Sequence, residues 1–326
     1  MDNAIALRGV TKTFGRTTAV QNLDLTVPNG GLWGFIGQNG AGKTTSIRMM
    51  MSILFPDSGD ISILGRASAL EAKDRIGYLP EERGVYRRMR VGAFLVYMAR
   101  LKGVREVDLA KRVRESLERV GMEDAERKRC AELSKGMLQK VQFLAAIIHQ
   151  PDLLILDEPF SGLDPVSARQ MRDLVLAEHR RGATVLFSTH VMSHAEEVCE
   201  HVLMMHQGRK VLDERIATIR RQYDPRRILF DAIDPHADVS AIAAMPEVVR
   251  VERADTGYEI LLAEGTDSAS AIRRIIMAVA PARIELSRPR LEDIFIQIVS
   301  RGNRASTDGY QAVTELPGAV SRASAL

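Results

Sequence analysis

Residues 37 to 44, Gly37-Gln38-Asn39-Gly40-Ala41-Gly42-Lys43-Thr44, combine glycines, an ammonium and a hydroxyl at the spacing of a phosphate-binding loop. The glycines allow successive backbone N–H groups to turn inward, and the N-terminus of the following helix adds its positive dipole end, so the loop makes a concave anion site. Lys43 reaches the outer phosphates of a nucleoside triphosphate, and the hydroxyl of Thr44 is a ligand for Mg2+. Far downstream, the apolar run Leu153-Leu154-Ile155-Leu156 ends in Asp157-Glu158. In this chemistry Asp157 holds the same ion and Glu158 is left for the attacking water. Taken alone, such an Asp-Glu pair reads as two surface acids. Its pairing with the loop makes it a hydrolytic constellation.

These groups must be positioned. Leu32 to Ile36 is strand-like, and the segment that runs from Lys43 through Thr44 and Thr45 reads as a helix, the strand–loop–helix setting the motif requires. A second feature lies ahead of the Asp-Glu strand, where Leu133-Ser134-Lys135-Gly136-Met137 precedes Gln139, Lys140 and a helical run from Val141 to Ile148. Ser134 is a good N-cap, Gly136 permits close backbone approach, and the helix behind them offers free N–H groups to an anion. This is a second phosphate site; a helix cap without a ligand is the bland alternative.

With the Ser161-Gly162-Leu163-Asp164 loop and the Ser188-Thr189-His190 segment added, the chain resembles the ATP-binding subunit of an ATP-binding cassette (ABC) transporter from about residue 5 to residue 215. The resemblance implies an α/β P-loop NTPase cassette with a mixed sheet core, an antiparallel β subdomain and a helical subdomain over about 88–150. It implies catalysis by Glu158 and His190. Nucleotide contacts would come from Phe14, Gly37, Gln38, Asn39, Gly40, Ala41, Gly42, Lys43, Thr44, Thr45, Ser134, Gly136 and Asp164. Metal ligands would be Thr44, Asp157 and Glu81. Two phosphate sites per chain and one nucleotide suggest two copies that meet head to tail, as in the family. The cofactors implied are ATP and Mg2+; ATP over GTP comes from the resemblance, because one stacking ring selects a base weakly.

The chain departs from the commonest family pattern in places. Lys135 and Met137 alter the LSGGQ-type signature while Ser134 and Gly136 stay. Glu81, in Ile76-Gly77-Tyr78-Leu79-Pro80-Glu81-Glu82-Arg83-Gly84, stands where the family has a glutamine that senses Mg2+ and water. Its carboxylate is either a metal-side oxygen or a solvated loop charge. The Leu-Pro-Glu-Glu-Arg-Gly spelling is similar to the sodium-exporter-like cassettes that serve ABC-2 type permeases. For Phe14 a buried core ring is the alternative to adenine stacking, and for His190 a structural histidine. His149, His194, His201 and His206 lack such context and read as structural or surface residues.

The composition agrees with this organisation. The 326 residues are 45% hydrophobic and 27% charged, with a net charge of +3 and two cysteines. That charge is no nucleic-acid footprint. Cys130 and Cys199, without CxxC spacing, read as small buried hydrophobes. Apolar runs are far shorter than the roughly 20 residues of a membrane helix, and no signal peptide is read, so the transport path is expected in a separate permease chain with this subunit peripheral to the cytoplasmic face of the membrane. The expected organisation is a cassette over 1–223, a small α+β accessory domain over 224–301, and a disordered tail over 302–326. Antiparallel strands are expected within Ile5 to Val27, a helical insert from Val91 to about Arg129, and a hairpin from His201 to Leu212. A soluble ABC-type ATPase, for instance translation-associated, is the alternative function; such proteins usually carry two cassettes in tandem, and this chain has one phosphate loop.

Overall fold

Three short segments, β3 (Leu32–Gly37), β6 (Leu153–Asp157) and β7 (Thr184–Thr189), are buried at every residue. A strand buried on both faces must sit inside a sheet covered on both sides, and the parallel arrangement follows. In the computed structural model, which describes residues 3–305 apart from 83, 106, 108, 223–225, 255 and 288–289, these strands form the centre of a six-stranded sheet. Its order is β5-β6-β7-β3-β8-β9, where β5 is Ile76–Leu79, β8 is His201–His206 and β9 is Arg209–Arg215. The first five strands run parallel and β9 is antiparallel to β8, across the expected turn at Gln207-Gly208.

Register gathers the chemistry. Leu79 pairs with Leu156, Asp157 with Ser188, and Ile36 with Thr189. The loops that leave β5, β6, β7 and β3 therefore emerge side by side at one edge, beyond the carboxyl ends of the strands where open α/β sheets hold ligands. Those loops carry Glu81, Glu158, His190 and residues 38–42.

β1 (Asn3–Phe14) and β2 (Thr17–Pro28) form the expected antiparallel start, in a three-stranded sheet of order β2-β1-β4. The third strand, β4 (Ser58–Ile63), comes from beyond the phosphate-loop helix α1 (Lys43–Met50) and not from within residues 5–27. One continuous apolar core joins this sheet to α1 and the central strands, with Ile5, Leu23, Phe35, Ile47, Ile155 and Leu186 fully buried.

The helical insert comprises α2 (Val91–Leu101), α3 (Leu109–Glu118) and α4 (Lys135–Ile147). Leu109, Val113 and Leu117 form the buried face of α3 expected from their spacing, while Val120 lies just past the helix end, partly buried. Polar ties fix the insert to its surroundings: Arg119 and Arg181 both engage the buried carboxylate of Glu178 on α5 (Pro165–Arg180), and Lys102 donates to the Ile76 carbonyl that also meets His149. Burial holds the His149 imidazole at a pKa of about 4, so it is neutral and structural. His201 stacks on Trp33 and meets Asp213 at 2.8 Å, and His194 packs edge-on against Phe160. α6 (Met192–Val198) and α7 (Ile216–Gln222) complete this unit.

The chain divides between residues 224 and 225. Asp224-Pro225, which the sequence marks as a linker, lies outside the described residues. Beyond it, β10 (Arg227–Ala232), β11 (Val248–Arg253), β12 (Tyr258–Leu262) and β13 (Pro281–Ser287) make an antiparallel sheet of order β11-β12-β10-β13. A short helix, α8 (Ser240–Ala243), and α9 (Ser268–Ala278) accompany it, and Ile228, Phe230, Ile242, Ile260, Ala271 and Ile275 form its own core. The last helix, α10 (Leu291–Ala305), passes Gly302, so the expected tail does not begin there. A lone glycine costs a helix only about 1 kcal/mol, less than a helix docked through Leu291, Ile294 and Phe295 can absorb. The remainder, 306–326, lies outside the described residues.

Candidate active site

The phosphate loop is built as its sequence requires. Gly42 caps α1 with φ 103°, and a Cβ there would stand 2.4 Å from the Ala19 carbonyl, so only glycine fits. Ala41, Gly42 and Lys43 are buried while Gln38, Asn39 and Gly40 line the exposed rim, and Thr44 and Thr45 are partly buried. Lys43 Nζ donates to the carbonyls of Gly37 at 2.7 Å and Gln38 at 3.2 Å. Burial lowers the Lys43 pKa, and the carboxylates of Glu158, Asp157 and Glu81 oppose that shift, so all three acids act electrostatically on one ammonium. Glu158 is nearest, with Oε1 3.8 Å from Lys43 Nζ.

Asp157 closes β6 and is almost fully buried. Its Oδ1 accepts hydrogen bonds from the hydroxyls of Ser188, at 2.5 Å, and Thr44, at 3.4 Å. Its Oδ2 is buried and, among the described residues, has no hydrogen-bond partner. An orphaned carboxylate oxygen in the interior is costly, and a hard cation beside it removes the cost. Thr44 and Asp157 thus fit Mg2+, an oxygen-seeking ion. Tyr78 nearby stays protonated, its hydroxyl pushed up to about 12 by burial with the charge of Asp157 adding to the effect.

Glu158 takes a left-handed conformation, φ 49°, unusual for a residue other than glycine. Its backbone N–H donates to Ser188 Oγ at 3.0 Å, and its Oε1 lies 2.9 Å from His190 Nδ1. The buried Ser188 hydroxyl therefore binds both the Asp157 carboxylate and the Glu158 backbone. Sequence reasoning missed Ser188: a serine at the end of a buried strand has no periodic signature, and its role appears only when Asp157 and Ser188 are seen to be paired across β6 and β7. His190 is half-exposed, so its ring meets the glutamate on one side and solvent on the other.

Glu81 is exposed, yet it lines a small cavity with Leu79, Pro80, Gln139, Gln142, Glu158 and Ser161. Gln139 donates to the Pro159 carbonyl, and its own Oε1 is buried without a partner, which makes this cavity polar. Phe14 is 50% exposed, with Lys12 Nζ 5.7 Å from its ring. The buried-ring alternative is thereby removed.

The signature is a helix start. Ser134 caps α4, its hydroxyl accepting from the Met137 N–H at 3.3 Å, and Ser134 and Lys135 are exposed. Asp164 caps α5: its carboxylate accepts from the N–H groups of Val166 and Ser167, each at 3.0 Å, and from the Ser167 hydroxyl at 2.6 Å. These bonds, chiefly that of the Ser167 side chain, lower its pKa. The fold thus brings the 37–45 loop, Asp157, Glu158, His190 and Glu81 to one sheet edge, while Ser134, Gly136 and Asp164 stand at the N-termini of α4 and α5.

Known proteins resemble this chain in sequence and fold. Residues 20–161 match the family described as ABC transporter, and residues 215–299 match the C-terminal domain of DrrA1-3-like ATP-binding proteins. The chain is 39% identical over 290 residues to the ABC transporter ATP-binding protein YhaQ of Bacillus subtilis, covering 89% of this chain and 96% of that one. It is 30% identical over 312 residues to the bacitracin transport ATP-binding protein BcrA of Enterococcus faecalis, covering 94% and 99%. A solved ATP-binding subunit of an ABC transporter superposes with a TM-score of 0.62 at 28% identity, over 68% of this chain and 93% of that one. The chain belongs to the ATP-binding subunits of ABC transporters and carries a DrrA-like C-terminal domain; it is an ATPase.

Proposed function

We propose that this chain energises a membrane exporter by binding and hydrolysing Mg2+-ATP between two copies arranged head to tail. One observation carries the reading. The helix start at Ser134 is solvent-exposed, while the phosphate loop is served by a different helix, α1. A capped helix end of 13 residues, aimed outward, suits the phosphates held in a partner's loop. Thr44 and Asp157 would hold Mg2+, which supplies charge neutralisation for the phosphates when bound. Glu158 would polarise the attacking water, and His190, donating to Glu158, would orient it. The transport path belongs to a permease of the ABC-2 type; among the described residues no helix is long and apolar enough to cross a membrane. A transport role is supported by likeness to a bacitracin transport ATP-binding protein, and the export direction by the resemblance of the Leu79-to-Gly84 segment to sodium-exporter-like cassettes.

The shared site is tested at Gly136. A Cβ there meets Ser167 Oγ at 3.1 Å, so crowding must be separated from charge. Gly136→Ala, which adds only the crowding, is expected to keep most ATP-driven dimerisation. Gly136→Asp adds an anion where the partner's γ phosphate would lie and is expected to abolish dimerisation and hydrolysis while monomeric ATP binding persists. Light scattering that finds normal ATP-bound dimers of the Asp variant overturns the reading.

Glu81 is proposed as a metal-side oxygen because it shares the cavity of Glu158 and acts on Lys43. An amide oxygen also faces a hard cation, so Glu81→Gln is expected to keep most basal ATPase activity. Glu81→Ala, which removes the oxygen, is expected to weaken the Mg2+ dependence and the stimulation a permease gives. Rates titrated against Mg2+ decide this, and an Ala variant that follows the wild-type curve makes Glu81 a surface charge.

A further inference from the structure

Lys135 stands where the commonest signature has glycine, and its placement has a structural consequence. A Cβ built on Gly162 would lie 1.8 Å from Lys135 Nζ, 2.7 Å from Cε and 3.8 Å from Cδ, and no other atom comes within its three nearest contacts. The lysine side chain therefore runs from the first turn of α4 across the bare face of Gly162. Gly162 has φ +66°, so a glycine is favoured there by backbone conformation as well as by the space the lysine takes. A second contact lies alongside: a Cβ built on Gly136 would stand 3.1 Å from Ser167 Oγ and 3.7 Å from Leu163, so this glycine faces both residues closely. The start of α4 is thus seated on the loop from Ser161 to Asp164 and on the first turn of α5.

That loop is one turn from the chemistry. The Ser161 N–H donates to the Glu158 carbonyl at 3.1 Å, and Ser161 lines the cavity that holds Glu158 and Glu81. Among the described residues Lys135 has no ion-pair partner, and a cation at the first position of a helix is disfavoured by the helix dipole. Its charge is not what helix stability asks for there. The end of its side chain, Cε and Nζ, nonetheless lies over the one loop residue whose lack of a side chain leaves room for it.

We propose that Lys135 is a positioning residue for ATP hydrolysis: by lying across Gly162 it braces the 161–164 loop against α4, so the signature and the Glu158 carboxylate keep one geometry. The inference rests on the proposed shared site, and it assigns a role within one chain that the signature pattern itself does not contain. Lys135 acts through Gly162 and not by touching the nucleotide.

The test is a double-mutant cycle on ATPase rate. Lys135→Ala removes the brace, and Gly162→Ala expels it; each is expected to lower kcat by about 10-fold, well inside the roughly 100-fold cost of a 1 Å misplacement, with KM for ATP changed less than about 2-fold. Because the nearest atoms in the way of a Cβ at Gly162 belong to Lys135, truncating Lys135 after that alanine is in place removes nothing further, and the double variant is expected to be no slower than Gly162→Ala alone. The left-handed strain of an alanine at 162 is present in both backgrounds and cancels in the cycle. Lys135→Met reaches the position of the lysine Cε, still over Gly162, without the ammonium, and is expected to retain kcat within about 3-fold of the wild type. Losses that multiply in the double variant, a Met variant as slow as the Ala variant, or an Ala variant with wild-type kcat each overturn the proposal. Fluorescent ATP binding and melting temperature, measured on every variant, report folding. A wild-type chain that hydrolyses ATP only as a monomer sinks the shared site instead, and the cycle still reads the brace.

Discussion

Glu158→Gln is expected to bind ATP and Mg2+ and to hydrolyse ATP at least about 100-fold more slowly, the scale of a lost general base. The amide is nearly isosteric, and the backbone N–H bond to Ser188 does not involve the side chain, so the left-handed turn at φ 49° is kept. What is lost is the charge that faces three groups at once. Lys43 Nζ stands 3.8 Å from Oε1, His190 Nδ1 2.9 Å, and the cavity shared with Glu81 lies on the remaining side. An amide in that place cannot take a proton from water. Hydrolysis should therefore stall after nucleotide binding, and the ATP-bound dimer should persist in gel filtration where the wild type returns to monomer. Phosphate release near the wild-type rate would remove Glu158 from the mechanism. A variant that is slow and also fails to bind ATP would mean that its partnership with Lys43 shapes the loop.

Most of this site was legible because its residues sit at the ends of strands that announce themselves. Leu153 to Leu156 and Leu32 to Ile36 are continuous apolar runs, and a run buried on both faces must end where the chain leaves the sheet. Asp157, Glu158 and the phosphate loop follow directly. Contacts set by pairing across the sheet were not legible. Ser188 reaches Asp157 because β6 and β7 align those two positions, and β4 joins β1 across the whole phosphate-loop unit. Neither relation leaves a period in the sequence. Lys135 over Gly162 is of the same kind: a lysine in a helix start and a glycine in a loop are each ordinary, and only their meeting is informative. At α10 the sequence misled because the small and polar residues from Gly302 onward carry no apolar period, whereas the structure continues the helix through them to Ala305.

Asp157→Asn is expected to separate metal use from nucleotide binding. In the wild type one carboxylate oxygen is engaged by Ser188 and Thr44, and the other is buried with no partner among the described residues. Asparagine keeps an oxygen for the two hydroxyls and puts an amide, which cannot ligate a cation through its N–H2 group, at the orphaned position. The charge that would draw Mg2+ is gone. ATPase activity should fall by at least about 100-fold, which corresponds to about 3 kcal/mol of transition-state stabilisation, within the several kcal/mol a bound metal supplies. Lys43 keeps Glu158 and the carbonyls of Gly37 and Gln38 as partners, so the phosphate cradle survives and ATP without metal should still bind. Ligand linkage makes the distinction measurable, because a ligand raises the melting temperature only to the extent that it binds the folded state. Mg2+-ATP should raise the wild-type melting temperature more than ATP with a chelator does, and in Asp157→Asn the two shifts should be equal. A variant that retains the extra Mg2+ shift would place the metal on other oxygens, with Glu81 the first to examine, since it lines the cavity beside Glu158 and its charge is felt at Lys43.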